Sequence, residues 1–132
     1  MGLPGSGKTT LSNQLVKDLE TLGKSVSWFN ADKVRQIFDD WDFSTEGRVR
    51  QSLRMNELAS TSITDFVICD FVCPLQIMRD NFNADFVVWV DTIKEGRFDD
   101  TNKLFENPDK YDLRITEQDC KKYSPLILTH IL

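Results

Sequence analysis

Gly2-Leu3-Pro4-Gly5-Ser6-Gly7-Lys8-Thr9 matches G-x-x-x-x-G-K-[ST] at every fixed position, and Met1 alone stands before it. In such a loop the glycines let the backbone come close to a ligand, and successive N–H groups turn inward as an anion nest. The helix that follows adds its positive N-terminal end. Lys8 brings a compact cation to β- and γ-phosphates, and the Thr9 hydroxyl suits Mg2+. Gly2, Gly5, Ser6, Gly7, Lys8, Thr9 and Thr10 are therefore the expected nucleotide contacts, with ATP and Mg2+ as the implied ligands. The bland competitor is a glycine-rich turn ahead of an ordinary helix.

The residues that follow favour the phosphate site. Leu11, Leu15, Leu19 and Leu22 make one helical stripe, and Gly23 stands where a C-terminal cap belongs. Residues 25–29 read as a strand, 32–38 as a short helix and 45–60 as a longer one capped by Ser44. Strand 66–71, short helix 74–82, strand 86–91, strand 113–116 and helix 125–132 complete the series. Residues 92–112 are polar, carry Gly96 and Pro108, and read as a mobile, lid-like segment. Alternating strands and helices predict an α/β fold, the P-loop NTPase-type three-layer sandwich with a mainly parallel sheet. A loop of this type joins a buried strand to a helix. The expectation is thus a single P-loop domain over residues 1–132, N-terminally truncated, with its first strand missing and Met1 as that strand's last residue. A fold that lacks the strand is the alternative.

Composition narrows the class. The 132 residues make one small domain, and 40% hydrophobic with 28% charged residues is an ordinary soluble mix. No apolar run approaches the roughly 20 residues of a membrane span, so no membrane partner is expected. Cys69, Cys73 and Cys120 are odd in number and lack metal-ligand spacing, which reads as reduced thiols of a cytoplasmic protein. The net charge of −5 argues against nucleic acid and leaves room for a local basic pocket. Oligomeric state is not legible, with a homodimer left open.

The loop identifies a nucleotide and not a reaction. Asn30-Ala31-Asp32-Lys33-Val34-Arg35 stands at the carboxyl end of the strand at 25–29, where open α/β sheets bind ligands. Phe43 and Arg48 follow closely. Arg48 and Gln51 share one helix face, Arg50 and Arg54 a neighbouring one. Arginine suits bidentate phosphate or sulfate contacts. At these residues the chain resembles the adenylyl-sulfate kinase (APS kinase) family. That family reads GLSGSGKST, DGDNVR and GFS-x-x-DR-x-x-N-x-x-R; this chain reads GLPGSGKTT, NADKVR and DFSTEGRVRQSLR, in the same order. Val72-Cys73-Pro74 resembles the family's I-S-P, and residues 87–92 its V-Y-V-D-T. The resemblance covers most of the chain and is strongest from Gly2 to Ala59.

The resemblance implies an ATP-dependent phosphotransferase of sulfate assimilation. It would move the γ-phosphoryl of MgATP to the 3′-hydroxyl of adenylyl sulfate. Lys8, Asp32 and Arg97 would be catalytic, with Arg97 and Lys103 closing from the lid. Asp32 would orient the acceptor hydroxyl, accept its proton or hold a Mg2+ water; its bland role is capping the helix it begins. Arg35 and Arg48 would hold adenylyl sulfate, Phe43 would stack on its adenine, and Gln51 stands where the family has Asn. Surface and core roles are the alternatives for these residues.

Several positions depart from the pattern. Asn30 replaces the first acid of DGD, Ala31 its glycine, Gly47 the Asp before Arg48, and Leu53 one Arg of a pair. Asp70 stands where the family has a small residue, and so is a candidate, with Thr9, for the metal shell. Asp91 reads as a cap into the lid, and His130 carries no chemistry. The lid itself differs in register and lacks the family's F-T-G-I. The altered lid keeps open a P-loop kinase for another hydroxyl, such as a nucleoside, sugar or polynucleotide end, and the expected missing strand keeps open a non-catalytic nucleotide-binding fragment.

Overall fold

The computed structural model describes residues 1–132. Helix α1 runs over Lys8–Thr21 and buries Leu11, Leu15 and the fully enclosed Leu19, whereas Leu22 of the expected stripe is its exposed C-cap. Gly23 at φ 79° ends it, and the Lys24 N–H returns to the Leu19 carbonyl at 3.1 Å. Strand β1 (Val26–Asn30) leads directly into α2 (Ala31–Phe38), and α3 covers Thr45–Thr61. The Ser44 hydroxyl accepts from the Gly47 N–H at 3.1 Å and caps α3. Then come β2 (Phe66–Asp70), α4 (Gln76–Phe82), β3 (Val88–Val90), α5 (Asp99–Leu104), β4 (Leu113–Ile115) and α6 (Cys120–Ile131).

The strands form two parallel pairs. β1 lies beside β2 in register from Val26 opposite Phe66 to Asn30 opposite Asp70. β3 lies beside β4, with Val90 opposite Ile115. Met1 adjoins β3: its ammonium donates to the Val88 carbonyl and its carbonyl accepts from the Val90 N–H, both at 2.8 Å. A Cβ on Gly2 would strike the Val90 carbonyl oxygen, so only glycine lets the loop leave the sheet this closely.

Strand periodicity of two sorts the residues between two helical layers. Leu11, Leu15, Leu19, Val90, Ile115 and Ile127 form the core, flanked by Val26, Phe66, Ile68, Val88 and Leu113. Helices α1 and α6 pack together over that face. On the other face α3 crosses β1 and β2, and the Ser27 hydroxyl meets Ser62 at 2.7 Å and Thr64 at 2.9 Å just past its end. The result is the α/β three-layer sandwich. No helix is long and apolar enough to cross a membrane.

Two elements differ from the sequence reading. The last helix starts at Cys120 and not at Pro125, because the Asp119 carboxylate accepts from the Lys122 N–H at 3.2 Å and sets the first turn. Residues 92–112 contain α5, a helix that the sequence reading did not mark. The Gly96 N–H donates to Asn102 Oδ1 at 2.7 Å, Asn102 Nδ2 returns to the Gly96 carbonyl at 2.9 Å, and the Glu106 N–H reaches the Pro74 carbonyl at 2.8 Å.

Candidate active site

The loop is built to leave N–H groups free. Gly5 and Gly7 take φ of 85° and 104°, a region that side chains disfavour. Thr92 Oγ1 donates to the Ser6 carbonyl at 2.6 Å, and Gln118 Nε2 to the Gly5 carbonyl at 3.1 Å, so carbonyls are taken up from behind. The N–H groups of Gly5, Gly7, Lys8, Thr9 and Thr10 donate to no protein acceptor. No side chain caps α1. These donors line a cavity of about 290 Å3 bounded by Gly5, Gly7, Lys8, Thr9, Thr10 and Gln118, none of them hydrophobic. Ser6 Oγ is buried nearby without a partner. Unpaired donors at a helix N-terminus suit a polyphosphate. Thr92 and Gln118 were not expected from the sequence; their positions just beyond β3 and β4, at the ligand-binding ends of the strands, are the signal that could have found them.

Beside this cavity stand three polar groups. Thr9 Oγ1 donates to Asp70 Oδ2 at 3.0 Å, and Asn30 Nδ2 donates to the same oxygen at 2.9 Å and to Thr9 Oγ1 at 3.1 Å. Asp70 is buried. Lys8 Nζ rests on the Leu3 carbonyl at 2.9 Å. Burial pulls the Lys8 pKa below its ordinary value, opposed by the carboxylates of Asp70 and then Asp32. No group of three or more His, Cys, Asp or Glu converges to hold a metal by protein ligands alone. A hydroxyl and one carboxylate fit Mg2+, which commonly shares its shell between a few protein oxygens, water and phosphates. The cap of α2 is Asn30, whose Oδ1 accepts from the Lys33 N–H at 3.2 Å, so Asp32 is not the cap. Asp32 is exposed in the first turn of α2.

The α2–α3 connection gathers a second cluster. Arg35 is buried and donates through Nη1 to the carbonyls of Asp40 and Asp42 at 3.0 and 3.1 Å. Its guanidinium lies 4.3 Å from the Phe43 ring centroid, and that of Arg48 lies 5.5 Å away. The Phe43 ring remains 46% exposed. Arg48 Nε donates to the Phe43 carbonyl at 2.9 Å. Burial lowers both arginine pKa values, yet a guanidinium keeps its charge. Gln51 Nε2 reaches the Ala31 carbonyl at 3.0 Å, while its Oε1 is buried without a partner. Arg50 and Arg54 are both bound to the Asp40 carboxylate, at 2.7 and 2.8 Å. A Cβ on Gly47 would strike the Asp42 carbonyl and carboxyl, so Asp42 occupies the room that a side chain at 47 needs. Where the APS kinase pattern has glycine at the first of these positions and aspartate at the second, this chain has exchanged the two.

The lid cations are not gathered with these residues. Arg97 is exposed, 5.1 Å over the Phe98 ring, and Lys103 is exposed on α5. Gly96 next to Arg97 does lie against the Pro4 carbonyl of the loop, 3.2 Å from where its Cβ would be. Asp91, just past β3, pairs with Arg114 of β4 at 2.6 Å. His130 stacks on Phe86 at 5.8 Å.

Cys69 and Cys73 flank Asp70 and are chemically quiet. Burial pushes their thiols up to about 12 and about 11. The thiolate is the reactive form. Native protein at pH 8 should therefore leave both unmodified by a disulfide reagent, at least about a hundredfold slower than a free cysteine of pKa about 8.5. Cys120, at the first turn of α6, should react first. Mass mapping of time-quenched samples reads this directly, and early labelling of Cys73 would contradict it.

Comparison with known proteins agrees with this geometry. The family model for adenylylsulphate kinase matches residues 1–115. The bifunctional enzyme NodQ of Azospirillum brasilense is 34% identical over 86 residues, which are 63% of this chain and 14% of that protein. An adenylyl-sulfate kinase of Bacillus velezensis is 29% identical over 127 residues, 94% of this chain and 56% of that one. The chain thus spans about half, or far less, of the length of these relatives. The structure of a Mycobacterium tuberculosis APS kinase, CysC, in complex with AMPPNP and APS superimposes with a TM-score of 0.80 at 20% identity, covering 98% of this chain and 92% of that one. At that identity the likeness speaks for the fold.

Proposed function

The chain belongs to the adenylylsulphate kinase family, a family of ATP-dependent kinases, and from that premise we propose that it transfers the γ-phosphoryl of MgATP to the 3′-hydroxyl of adenylyl sulfate, giving 3′-phosphoadenylyl sulfate. The observation that carries the reading is the cluster of Arg35, Phe43 and Arg48. A half-exposed aromatic ring flanked by two permanent cations suits a purine that bears an anionic phosphosulfate.

Phosphoryl transfer asks the protein for in-line positioning and charge stabilisation. The free N–H groups of Gly5, Gly7, Lys8, Thr9 and Thr10 hold the donor phosphates. Lys8 leaves the Leu3 carbonyl to meet the charge that develops between the β and γ groups. Thr9 would offer its hydroxyl oxygen to Mg2+, with Asp70, which accepts from that hydroxyl, orienting it. Bound there, Mg2+ supplies charge neutralisation of the β- and γ-oxygens. Asp32, free of any capping duty, orients the acceptor hydroxyl and takes its proton. Gln51 fixes the start of α2, and with it Asp32, through the Ala31 carbonyl. Residues 92–112 act as the lid, bringing Arg97 and Lys103 over the transferring group, and residues 1–132 work as one domain. The exposed positions of Arg97 and Lys103 favour a second reading, a family member whose acceptor is another small hydroxyl compound.

ADP release at fixed MgATP, with adenylyl sulfate, adenosine and a simple sugar as acceptors, separates the two. Adenylyl sulfate alone should support turnover. Arg48→Ala should raise its KM about ten- to more than a hundredfold, the weight of a charge-assisted hydrogen bond, with little change in the KM for ATP. Arg48→Lys should recover part of the loss. Equal use of adenosine and adenylyl sulfate, unchanged in Arg48→Ala, rejects the adenylyl sulfate reading.

A further inference from the structure

Thr101 is 3% exposed on α5, a helix whose neighbouring residues Asp99, Asp100 and Lys103 face solvent. It is buried for a polar contact. Its Oγ1 accepts from Arg48 Nη2 at 2.8 Å, in a bond closed to solvent that joins residues 53 apart in the chain. Nε, on the same edge of the guanidinium, donates to the Phe43 carbonyl at 2.9 Å, which leaves Nη1 without a protein acceptor. Two anchors on a planar group fix its orientation as well as its place. Both are neutral oxygens. The one carboxylate near Arg48, that of Asp100, stands back at 3.7 Å from Nη2 with its side chain 72% exposed, where water screens it. Arg48 is thus oriented beside Phe43 while its charge stays largely uncompensated.

We propose that Thr101 is a positioning residue for the anionic acceptor: it holds Arg48 through a neutral hydroxyl, orients the guanidinium without cancelling its charge, and so joins lid helix α5 to the acceptor pocket. An acid at this position would neutralise Arg48, and an apolar residue would leave Nη2 without its hydrogen-bond acceptor. This rests on the adenylyl sulfate reading and adds to it a residue that the sequence did not mark. Thr101 touches no reacting atom and acts through Arg48.

The test uses the intact protein, with adenylyl sulfate as the probe both in calorimetry and in turnover. Thr101→Val keeps the volume and removes the acceptor oxygen. It should weaken adenylyl sulfate binding and raise its KM about tenfold. The KM for ATP should stay within about twofold, the scatter of a neutral change. Thr101→Ser, which keeps the oxygen, should restore binding. Adding Thr101→Val to Arg48→Ala should cost nothing further, because one contact cannot be lost twice. If the valine variant melts far below the wild type, Thr101→Cys replaces it, since a thiol is a weak acceptor. Wild-type affinity in Thr101→Val, equal loss in Thr101→Ser, or additivity with Arg48→Ala overturns the proposal. A wild type that binds adenylyl sulfate without phosphorylating it rejects the proposed function and leaves the binding series to judge Thr101. A wild type that does not bind it overturns both.

Discussion

Replacing Lys8 with alanine should lower kcat about 10²–10³-fold, the usual loss when a preorganised charge is withdrawn from a transition state, while the protein stays folded. The asymmetry follows from where the ammonium stands. Its one hydrogen bond is to the Leu3 carbonyl, within its own loop, and it belongs to no core cluster. Burial disfavours its charge, and only Asp70 and Asp32 oppose that. Removing it relieves a desolvated cation, so the melting temperature should move little. Lys8→Met keeps most of the aliphatic stem and should match Lys8→Ala in rate, which shows that charge and not packing is lost. The pH dependence has a fixed sign. The free-protein pKa of Lys8 lies below its ordinary value of 10.5, so kcat/KM for ATP should fall on the alkaline side below that value. Rapid-quench single turnovers and thermal melts measure both parts. Near-normal turnover in Lys8→Ala would remove the loop from the donor site.

The loop was legible because each of its demands is local. Gly5 and Gly7 supply positive φ and Gly2 a close approach to Val90, all within one short run of sequence. The parallel strands were legible as short apolar runs, and Leu11, Leu15 and Leu19 of α1 through their helical period. What escaped depends on distant partners. Helix α5 has six residues, too few to show a period, and its one buried side chain is fixed by Arg48 from another layer. The start of α6 was read from Pro125, a residue at home in a first turn, whereas Asp119 sets that turn earlier. Capping was the bland alternative for Asp32, because acids favour first turns, yet Asn30 already bonds the Lys33 N–H. Gly47 was read as a loss from the family pattern, with Asp42 passed over. In space the two are one relocation, because the Asp42 side chain occupies the room left at Gly47.

A similar relocation governs the second large effect: Asp70→Asn should lower Mg2+-dependent turnover and metal affinity about 10–100-fold, the weight of a group that orients a metal ligand. Asn30 and Asp70 are register partners at the ends of β1 and β2. The APS kinase pattern carries its acid at the first of these places and a small residue at the second, so here the carboxylate stands one strand over. It still faces Thr9, with Oδ2 3.0 Å from the hydroxyl, and the Asn30 amide donates to it at 2.9 Å. Asn30 Nδ2 is itself 3.1 Å from Thr9 Oγ1. A carboxylate at position 30 would therefore reach the same hydroxyl, and aspartate caps a helix as well as asparagine does. Asn30→Asp alone should also impair the protein, because a second carboxylate placed against the buried one of Asp70 keeps the two from both ionising freely. Combining Asn30→Asp with Asp70→Asn should then recover much of what each change loses alone, a coupling that independent sites do not show. Mn2+ binding followed by electron paramagnetic resonance with ATP present reads the metal directly, apart from turnover. If Asp70→Asn binds metal like the wild type, or if the double variant is no better than Asp70→Asn, Asp70 does not hold the place of the missing acid.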